Sequence, residues 1–513
     1  MPDFITLDAL VEQTAARAPA RIAVIDGDRQ RSYAELNRLI DAVAAALQAD
    51  GLAPRDVISI CASSSIEYVA TFLGALRAGV AVAPLAPSST PKDFAAMLKD
   101  CGAKVLFMDT ATAAAMATAD VDPLTLRVAL DDGVAGRPFS GWCAADGAKP
   151  TPVTIDPDWV FNIIYSSGTT GTPKGIVHSH FMRWRQYGQS DPLGYGPDAV
   201  TVLSTPLYSN TTLVCFNPSF AGGGTVVLMK KFDARGFLQI CQKYRATHAM
   251  LVPVQYRRIM ALPDFDDFDL SSFVMKFSTS APFAAGLKAD ILKRWPGGLT
   301  EYYGMTEGGG SCMLLAHEHP DKLHTVGCPM PDHEIRLIGE DGEEVAPGEI
   351  GEIFGHSPTI MQGYLNQPTK TAEIFWHDAT GKRFVRTGDV GRFDSDGFLT
   401  LMDRKKDMII SGGFNIYPSD LEAVLAGHDD VVEAAVVAMP SEEWGETPVA
   451  FVVLKPGDAA DAASLKAWTN SRVGKFQRLA DVHLVESLPR SAIGKVLKRE
   501  LRDKRLAARG VEM

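Results

Sequence analysis

No stretch of this 513-residue chain approaches the ~18 consecutive apolar residues that a membrane-spanning helix requires. The amino terminus carries Asp3 and lacks an unbroken apolar core, so a secretory signal is not expected. Cysteine is sparse. The seven (Cys61, Cys101, Cys143, Cys215, Cys241, Cys312, Cys328) are scattered and never form a C-x-x-C pair, which excludes a disulfide framework and the usual zinc spacing. Positive charge is also short: the formal net charge is −12, which argues against non-specific nucleic-acid binding. The exception is the carboxyl end, where residues 490–509 hold eight Lys/Arg against Glu500 and Asp503. The plain reading of that stretch is a solvated helix face. A cytoplasmic, soluble protein is expected.

What is present is ordinary globular material, 46% hydrophobic and 22% charged. At about 150 residues per domain the length suggests roughly three structural units. Ser32-Tyr-Ala-Glu35 is a capping box opening a helix to about Gln48. Residues 56–62, 81–84 and 104–108 read as buried strands, with helices at 66–78 and 93–99 between them. The alternation continues at 226–229, 237–244, 249–252 and 256–260, and it implies parallel pairing with helices on the sheet faces. From about residue 334 short alternating strands and Gly-Glu, Asp-Gly and Pro-Gly turns take over, the pattern of an antiparallel β unit. Beyond a boundary at 403/404, helix 419–425, strands 431–439 and 449–455 and helix 463–471 form a compact α+β unit.

The chemistry begins at Tyr165-Ser-Ser-Gly-Thr-Thr-Gly-Thr-Pro-Lys-Gly175, which follows an apolar strand. Its glycines permit close backbone approach, Ser166, Ser167, Thr169, Thr170 and Thr172 supply hydroxyls, and Lys174 supplies a cation. Polyphosphate oxygens need that set. A flexible surface loop would share the composition. A Walker loop would not: it ends in Gly-Lys-Ser/Thr, whereas here Pro173 precedes Lys174 and Gly175 follows.

This run resembles the signature loop of the adenylate-forming superfamily, which includes acyl-CoA synthetases, aryl-CoA ligases, peptide-synthetase adenylation domains and firefly luciferase. Further matches follow in the family's order. Tyr303-Gly-Met-Thr-Glu307 resembles the adenine and magnesium motif, and Arg386-Thr-Gly-Asp389 the ribose motif. Asp403-Arg404 with Ser411-Gly-Gly-Phe-Asn415 resembles the hinge segment, and Pro489-Arg-Ser-Ala-Ile-Gly-Lys495 the carboxyl-terminal lysine motif. The likeness spans about residues 20–502.

The resemblance implies an α/β fold. A large N-terminal domain of doubly wound sheets (1–403, its β subdomain about 334–403) carries a small mobile C-terminal α+β domain (404–513). It implies ATP, magnesium and coenzyme A as cofactors and a small carboxylic acid as the substrate. Ser166, Ser167, Gly168, Thr169, Thr170 and Gly171 would hold phosphates with Lys174. Tyr303 would stack on adenine, Thr306 and Glu307 would meet phosphate and magnesium, and Asp389 and Arg404 would bind ribose. Lys406 would be the hinge, unless it belongs to a merely charged linker. Gly413 would lie beside the pantetheine channel, and Lys495 would contact the acyl carboxylate and α-phosphate. Tyr208, Ser209, Ser278, Ser280, Ala281, Gly304, Gly308 and Gly309 would line the acid, with residues Gly308 to Gly310 leaving space for a ring or an extended chain.

The expected activity is an AMP-forming acid–CoA ligase acting on an aryl or hydroxycinnamic acid or a medium-to-long-chain fatty acid. Many family members carry His where Ser209 stands and Gly where Tyr302 and Thr279 stand, so the acid stays open. Two alternatives also stay open: loading of a separate carrier protein, and a non-catalytic nucleotide-binding protein.

Overall fold

A computed structural model describes residues 4–122, 124–166, 173–188, 193–404, 406–411, 414–442, 444–455, 457, 460–491 and 495–508. Two compact units are distinguished. The first takes the chain to His324 and adds Pro329–Glu334 and Gly355–Val385; the second comprises Thr325–Cys328, Ile335–Phe354 and the chain from Arg386 onward.

The first unit contains two large sheets. In one, strands Gly298–Tyr303, Met275–Ser278, His248–Leu251, Val200–Leu203, Thr225–Leu228 and Ile22–Asp26 run parallel in that order, with antiparallel strands at either side. The other is eight-stranded, with parallel strands Val57–Cys61, Ala81–Pro84, Val105–Met108 and Leu126–Ala129 beside an antiparallel pair, Val160–Ser166 and Lys174–Ser179. Val57–Cys61, Ala81–Pro84, Val105–Met108 and Thr225–Leu228 are short, mostly apolar runs, as parallel strands covered on both faces read.

The two sheets share one apolar core. Helices Tyr33–Ala49, Ile66–Arg77 and Asn210–Ala221 contribute to it, and Phe72 meets both Phe161 and Phe216 edge-on at 5.8 Å. Gly74 lets two of these helices approach: a Cβ there would stand 2.6 Å from Val43 Cγ1. The capping box forms as read, Ser32 N–H donating to Glu35 Oε2 at 2.7 Å and Glu35 N–H to Ser32 Oγ at 3.3 Å.

In the second unit, Leu399–Arg404 pairs antiparallel with Arg383–Phe393, and Gly351–His356 flanks that strand on its other side. A further five-stranded sheet is built on the pair Val431–Ser441 and Gly445–Leu454. Helices Pro418–Ala426 and Ala462–Asn470 cover it with Leu421, Leu425 and Leu465. The basic carboxyl-terminal helix Lys498–Ala508 is only partly solvated, because Leu501 and Leu506 pack on Met439 and Phe451. This unit begins upstream of the 403/404 division expected from sequence texture. No helix among the described residues is long and apolar enough to cross a membrane.

Candidate active site

Strands Val160–Ser166 and Lys174–Ser179 pair Tyr165 with Gly175 and Ser166 with Lys174. The Ser/Thr/Gly run therefore connects two antiparallel strands. Ser167, Gly168, Thr169, Thr170 and Gly171 lie outside the described residues. Gly175 sits where packing is tight: a Cβ would stand 3.0 Å from Ile163 Cγ2 and 3.1 Å from Tyr165 Cζ. The short strand Gly363–Tyr364 flanks the hairpin, matching Tyr364 to Ile176. Leu365 N–H donates to the Gly175 carbonyl at 2.7 Å.

That flanking strand supplies a residue that the sequence reading missed. The Tyr364 hydroxyl donates to Glu307 Oε1 at 2.8 Å, and the Lys174 ammonium stands 4.9 Å from the Tyr364 ring centroid. Burial and the neighbouring carboxylate both push the Tyr364 phenol up, so it stays a donor. Lys174 and Glu307, 133 positions apart in the chain, thus meet on one tyrosine. Glu307 is half-buried, and Oε1 carries its one side-chain hydrogen bond among the described residues. A carboxylate with one oxygen so held fits a magnesium ligand, since that ion takes one or two carboxylates and completes its shell with phosphate and water.

Tyr303 ends a strand and pairs with Cys312, so residues 304–311 form a return loop at the sheet edge. The strands before residues 204, 252, 279 and 304 run parallel, and their carboxyl ends emerge along one edge, where α/β sheets bind ligands. Gly308 and Gly309 have φ of +78° and +86°. A Cβ at Gly308 would fall 2.0 Å from the Thr359 carbonyl oxygen, and one at Gly309 2.9 Å from Val385 Cβ. At both positions the missing side chain is replaced by neighbouring protein, not left as open space. At Gly304 a Cβ would stand 2.8 Å from Ser311 Oγ.

The same edge gathers the segments expected to meet the acid. Ser209 caps helix Asn210–Ala221 by accepting from Thr211 N–H at 3.3 Å, with half-buried Tyr208 just before it. Ser280 sits in the left-handed region at φ +82°, and its hydroxyl shares a 2.6 Å hydrogen bond with Thr211. Such backbone strain in a non-glycine residue clusters at functional sites. Half-buried Ala281 follows, and the Ser278 hydroxyl before it is buried without a hydrogen-bond partner among the described residues.

Behind the hairpin lies a buried polar group. Asn162 and His178 face each other across the strand pair, and Arg183 donates from Nε to Asn162 Oδ1 at 2.9 Å and from Nη2 to His178 Nδ1 at 2.7 Å. His178 Nε2 lies 2.7 Å from the Thr306 carbonyl oxygen. Burial, then the neighbouring guanidinium, hold the His178 ring far below its ordinary pKa; burial lowers Arg183 to about 9, still cationic at neutral pH. A polar residue inside each of two otherwise apolar strands was the available sequence signal.

In the second unit Asp389 and Arg404 are register partners on adjacent strands, with Oδ1 and Nε 3.2 Å apart. Asp389 N–H donates to Thr387 Oγ1 at 3.0 Å, which donates to the Ile353 carbonyl at 2.8 Å. Arg386 forks onto Glu352 at 2.6 and 2.8 Å, a structural pairing beside them. Lys406 is exposed in the turn after Arg404, where Asp407 and Met408 N–H groups donate back to the Arg404 carbonyl. Gly413 lies outside the described residues; strands Ile409–Ser411 and Phe414–Ile416 on either side of it pair antiparallel. Lys495 is exposed, and its carbonyl accepts from Ser491 N–H at 2.8 Å.

Comparison with known proteins agrees with this layout. The AMP-binding enzyme family model matches residues 11–365, and the AMP-binding enzyme C-terminal domain model matches residues 420–495. The chain is 34% identical to a feruloyl-CoA synthase of an Amycolatopsis species, over 95% of this chain and 96% of that protein. It is 31% identical to the fatty acid–[acyl-carrier-protein] ligase ScoC of Streptomyces coeruleorubidus, over 97% and 96%. The crystal structure of ATP-bound MatB from Rhodopseudomonas palustris superposes with a TM-score of 0.86 at 28% identity, covering 98% of this chain and 99% of that one. The chain belongs to the AMP-binding enzyme family.

Proposed function

We propose that this enzyme uses Mg·ATP to activate a carboxylic acid as its acyl-adenylate and passes the acyl group to coenzyme A. It is an AMP-forming acid–thiol ligase, and its acid is an aryl or hydroxycinnamic acid or a medium-to-long-chain fatty acid. The observation that carries the reading is the meeting of Lys174 and Glu307 on Tyr364 beside the Ser/Thr/Gly hairpin. Cation and carboxylate meet there beside the strand ends that lead into and out of the Ser/Thr/Gly run, the residue types that polyphosphate chemistry needs.

In the first half-reaction a carboxylate oxygen attacks the α-phosphorus, forming the mixed anhydride as the bond to the bridging oxygen breaks and pyrophosphate leaves. Lys174 and the hairpin hydroxyls offset charge on the departing group. Glu307 would hold magnesium, which supplies further neutralisation of the phosphates when bound. Lys495 steadies the negative charge of the attacking carboxylate and the α-phosphate, an electrostatic contribution of a few kcal/mol. Asp389, accepting from both ribose hydroxyls, and Arg404 fix the nucleoside, with Tyr303 against the base. In the second half-reaction the coenzyme A thiolate attacks the acyl carbon and AMP leaves.

Residues 404–513 are the moving part, pivoting at Lys406: one orientation presents Lys495, the other the Gly413 segment. Exclusion of water protects the anhydride. The segments around Tyr208, Ser209, Ser278, Ser280, Ala281, Gly304, Gly308 and Gly309 surround the acid.

A carrier protein in place of free coenzyme A is the second reading, favoured by the likeness to ScoC. The deciding experiment is ATP–pyrophosphate exchange over a panel of aryl and fatty acids, followed by AMP release with coenzyme A or with an acyl carrier protein. Exchange with some acid and AMP release with free coenzyme A are expected. No exchange with any acid overturns adenylation; AMP release with the carrier protein alone selects the second reading.

A further inference from the structure

Among the described residues, Arg183 is a fully buried cation without a role in the machinery above, and the partners of its guanidinium there are all neutral. Asn162 Oδ1 accepts from Nε, Gln186 Oε1 and Asn210 Oδ1 accept from Nη1 at 2.9 Å each, and His178 Nδ1 accepts from Nη2 at 2.7 Å. Burying a guanidinium without a carboxylate costs several kcal/mol, so packing alone is a poor reason for it.

Hydrogen-bond logic supplies a better one. Guanidinium nitrogens only donate. His178 Nδ1 faces Arg183 Nη2 at 2.7 Å and the Asn162 amide nitrogen at 3.4 Å, so it must be the unprotonated acceptor. The ring proton then resides on Nε2, 2.7 Å from the Thr306 carbonyl oxygen, which only accepts. The chain of donors has one direction: Arg183 to His178, His178 to Thr306. A Leu at 178 would leave the Thr306 carbonyl without this partner, and a Leu at 183 would leave the tautomer unimposed.

We propose that Arg183 and His178 are positioning residues that fix the Thr306–Glu307 segment against the phosphate hairpin, Arg183 by imposing the Nε2–H tautomer and His178 by holding the Thr306 carbonyl. His178 lies on the strand that begins at Lys174, so the relay sets the spacing between Lys174 and Glu307 from behind while Tyr364 sets it from the front. Through Asn210 the same guanidinium grips the first residue of the helix behind Tyr208 and Ser209. Neither side chain touches a reacting atom. The proposal rests on the adenylation reading of Thr306 and Glu307, and its test separates the two.

The full-length enzyme is assayed for ATP–pyrophosphate exchange with ferulate and with dodecanoate, rates being normalised to folded protein. His178→Leu is expected to lower kcat for exchange at least about fivefold, the scale of one lost buried hydrogen bond. Thioester formation from supplied acyl-adenylate should keep its KM for coenzyme A. His178→Gln, which keeps a donor toward Thr306 and an acceptor toward Arg183, is expected to exceed His178→Leu at least about fivefold. A smaller drop in the Leu variant, or a smaller advantage of Gln over Leu, overturns the proposal, because a purely structural role moves melting temperature and not this ratio.

A second measurement stands apart from turnover. In histidine-labelled parent protein, the ¹⁵N signals of His178, identified by their absence from His178→Gln, should show a neutral ring protonated at Nε2. An Nδ1–H tautomer or an imidazolium at neutral pH overturns the relay even where exchange is normal. Absence of exchange in the parent with every acid refutes adenylation itself and leaves the tautomer to judge the relay.

Discussion

Tyr364 donates its phenolic hydrogen to Glu307 Oε1 at 2.8 Å while its ring faces the Lys174 ammonium at 4.9 Å. One side chain thereby holds at a fixed spacing the carboxylate and the cation to which the proposed reaction assigns magnesium and phosphate. Tyr364→Phe keeps the ring and its attraction for Lys174 but removes the donor. A hydrogen bond to a charged group contributes about 1.5–3 kcal/mol, so exchange kcat should fall about 10- to 100-fold. The magnesium concentration for half-maximal rate should rise, because Glu307 loses the contact that orients it. A magnesium titration of exchange in the two proteins is the measurement; an unchanged midpoint and rate would show that Glu307 is oriented by other means.

Asp389 and Arg404 make a contrasting pair, partners in register on neighbouring strands and already 3.2 Å apart. A ribose that binds Asp389 inserts into an arrangement where the carboxylate is oriented in advance. Asp389→Ala should therefore act on nucleotide affinity: KM for ATP rises about 10-fold or more, the worth of one or two charge-assisted hydrogen bonds. KM for coenzyme A in the second half-reaction should hold. Initial rates against ATP at saturating acid decide the point, and an unaltered KM for ATP removes Asp389 from the ribose site.

Lys495 is exposed, so its loss exposes no buried surface. That makes Lys495→Ala an informative substitution. Adenylate formation should drop by about 100-fold or more, in line with removal of a preorganised charge from a phosphoryl-transfer site. Thioester formation from supplied acyl-adenylate should persist at near the parental rate. Equal loss in both half-reactions would contradict a lysine presented for one step and withdrawn for the other.

Most of the scaffold was legible because its signals are local. The Ser32–Glu35 capping box, the apolar run 81–84 and the helix from Ile66 toward Gly79 each state their structure within a few residues. The strands that carry Asp389 and Arg404 are legible too, since explicit turn residues bound them. What escaped depends on register between distant segments. Nothing near Tyr364 announces Glu307, 57 positions away, and the pairing of Asn162 with His178 exists only once the hairpin closes. The glycines at 308 and 309 mislead for the same reason. Read alone they promise space, but Thr359 and Val385 arrive from elsewhere to fill it.

His180 carries a consequence for stability against pH. Its ring is buried edge-on to Phe161 at 5.1 Å, and burial lowers its pKa from 6.5 to about 4. In the unfolded chain the ring takes up a proton below about pH 6.5, whereas the folded protein keeps it neutral until about pH 4. Between those values the unfolded state binds more protons, so acidification destabilises the fold. The slope is at most about 1.4 kcal/mol per pH unit for one group, and it flattens below pH 4 once both states are protonated. His180→Gln cannot titrate, so its melting temperature should fall less steeply than the parent's between pH 6.5 and pH 4. Parallel curves across that window would mean that the native His180 ring is charged or solvated. The sign is diagnostic, because a histidine held protonated by a carboxylate would make the parent gain on acidification where this one loses.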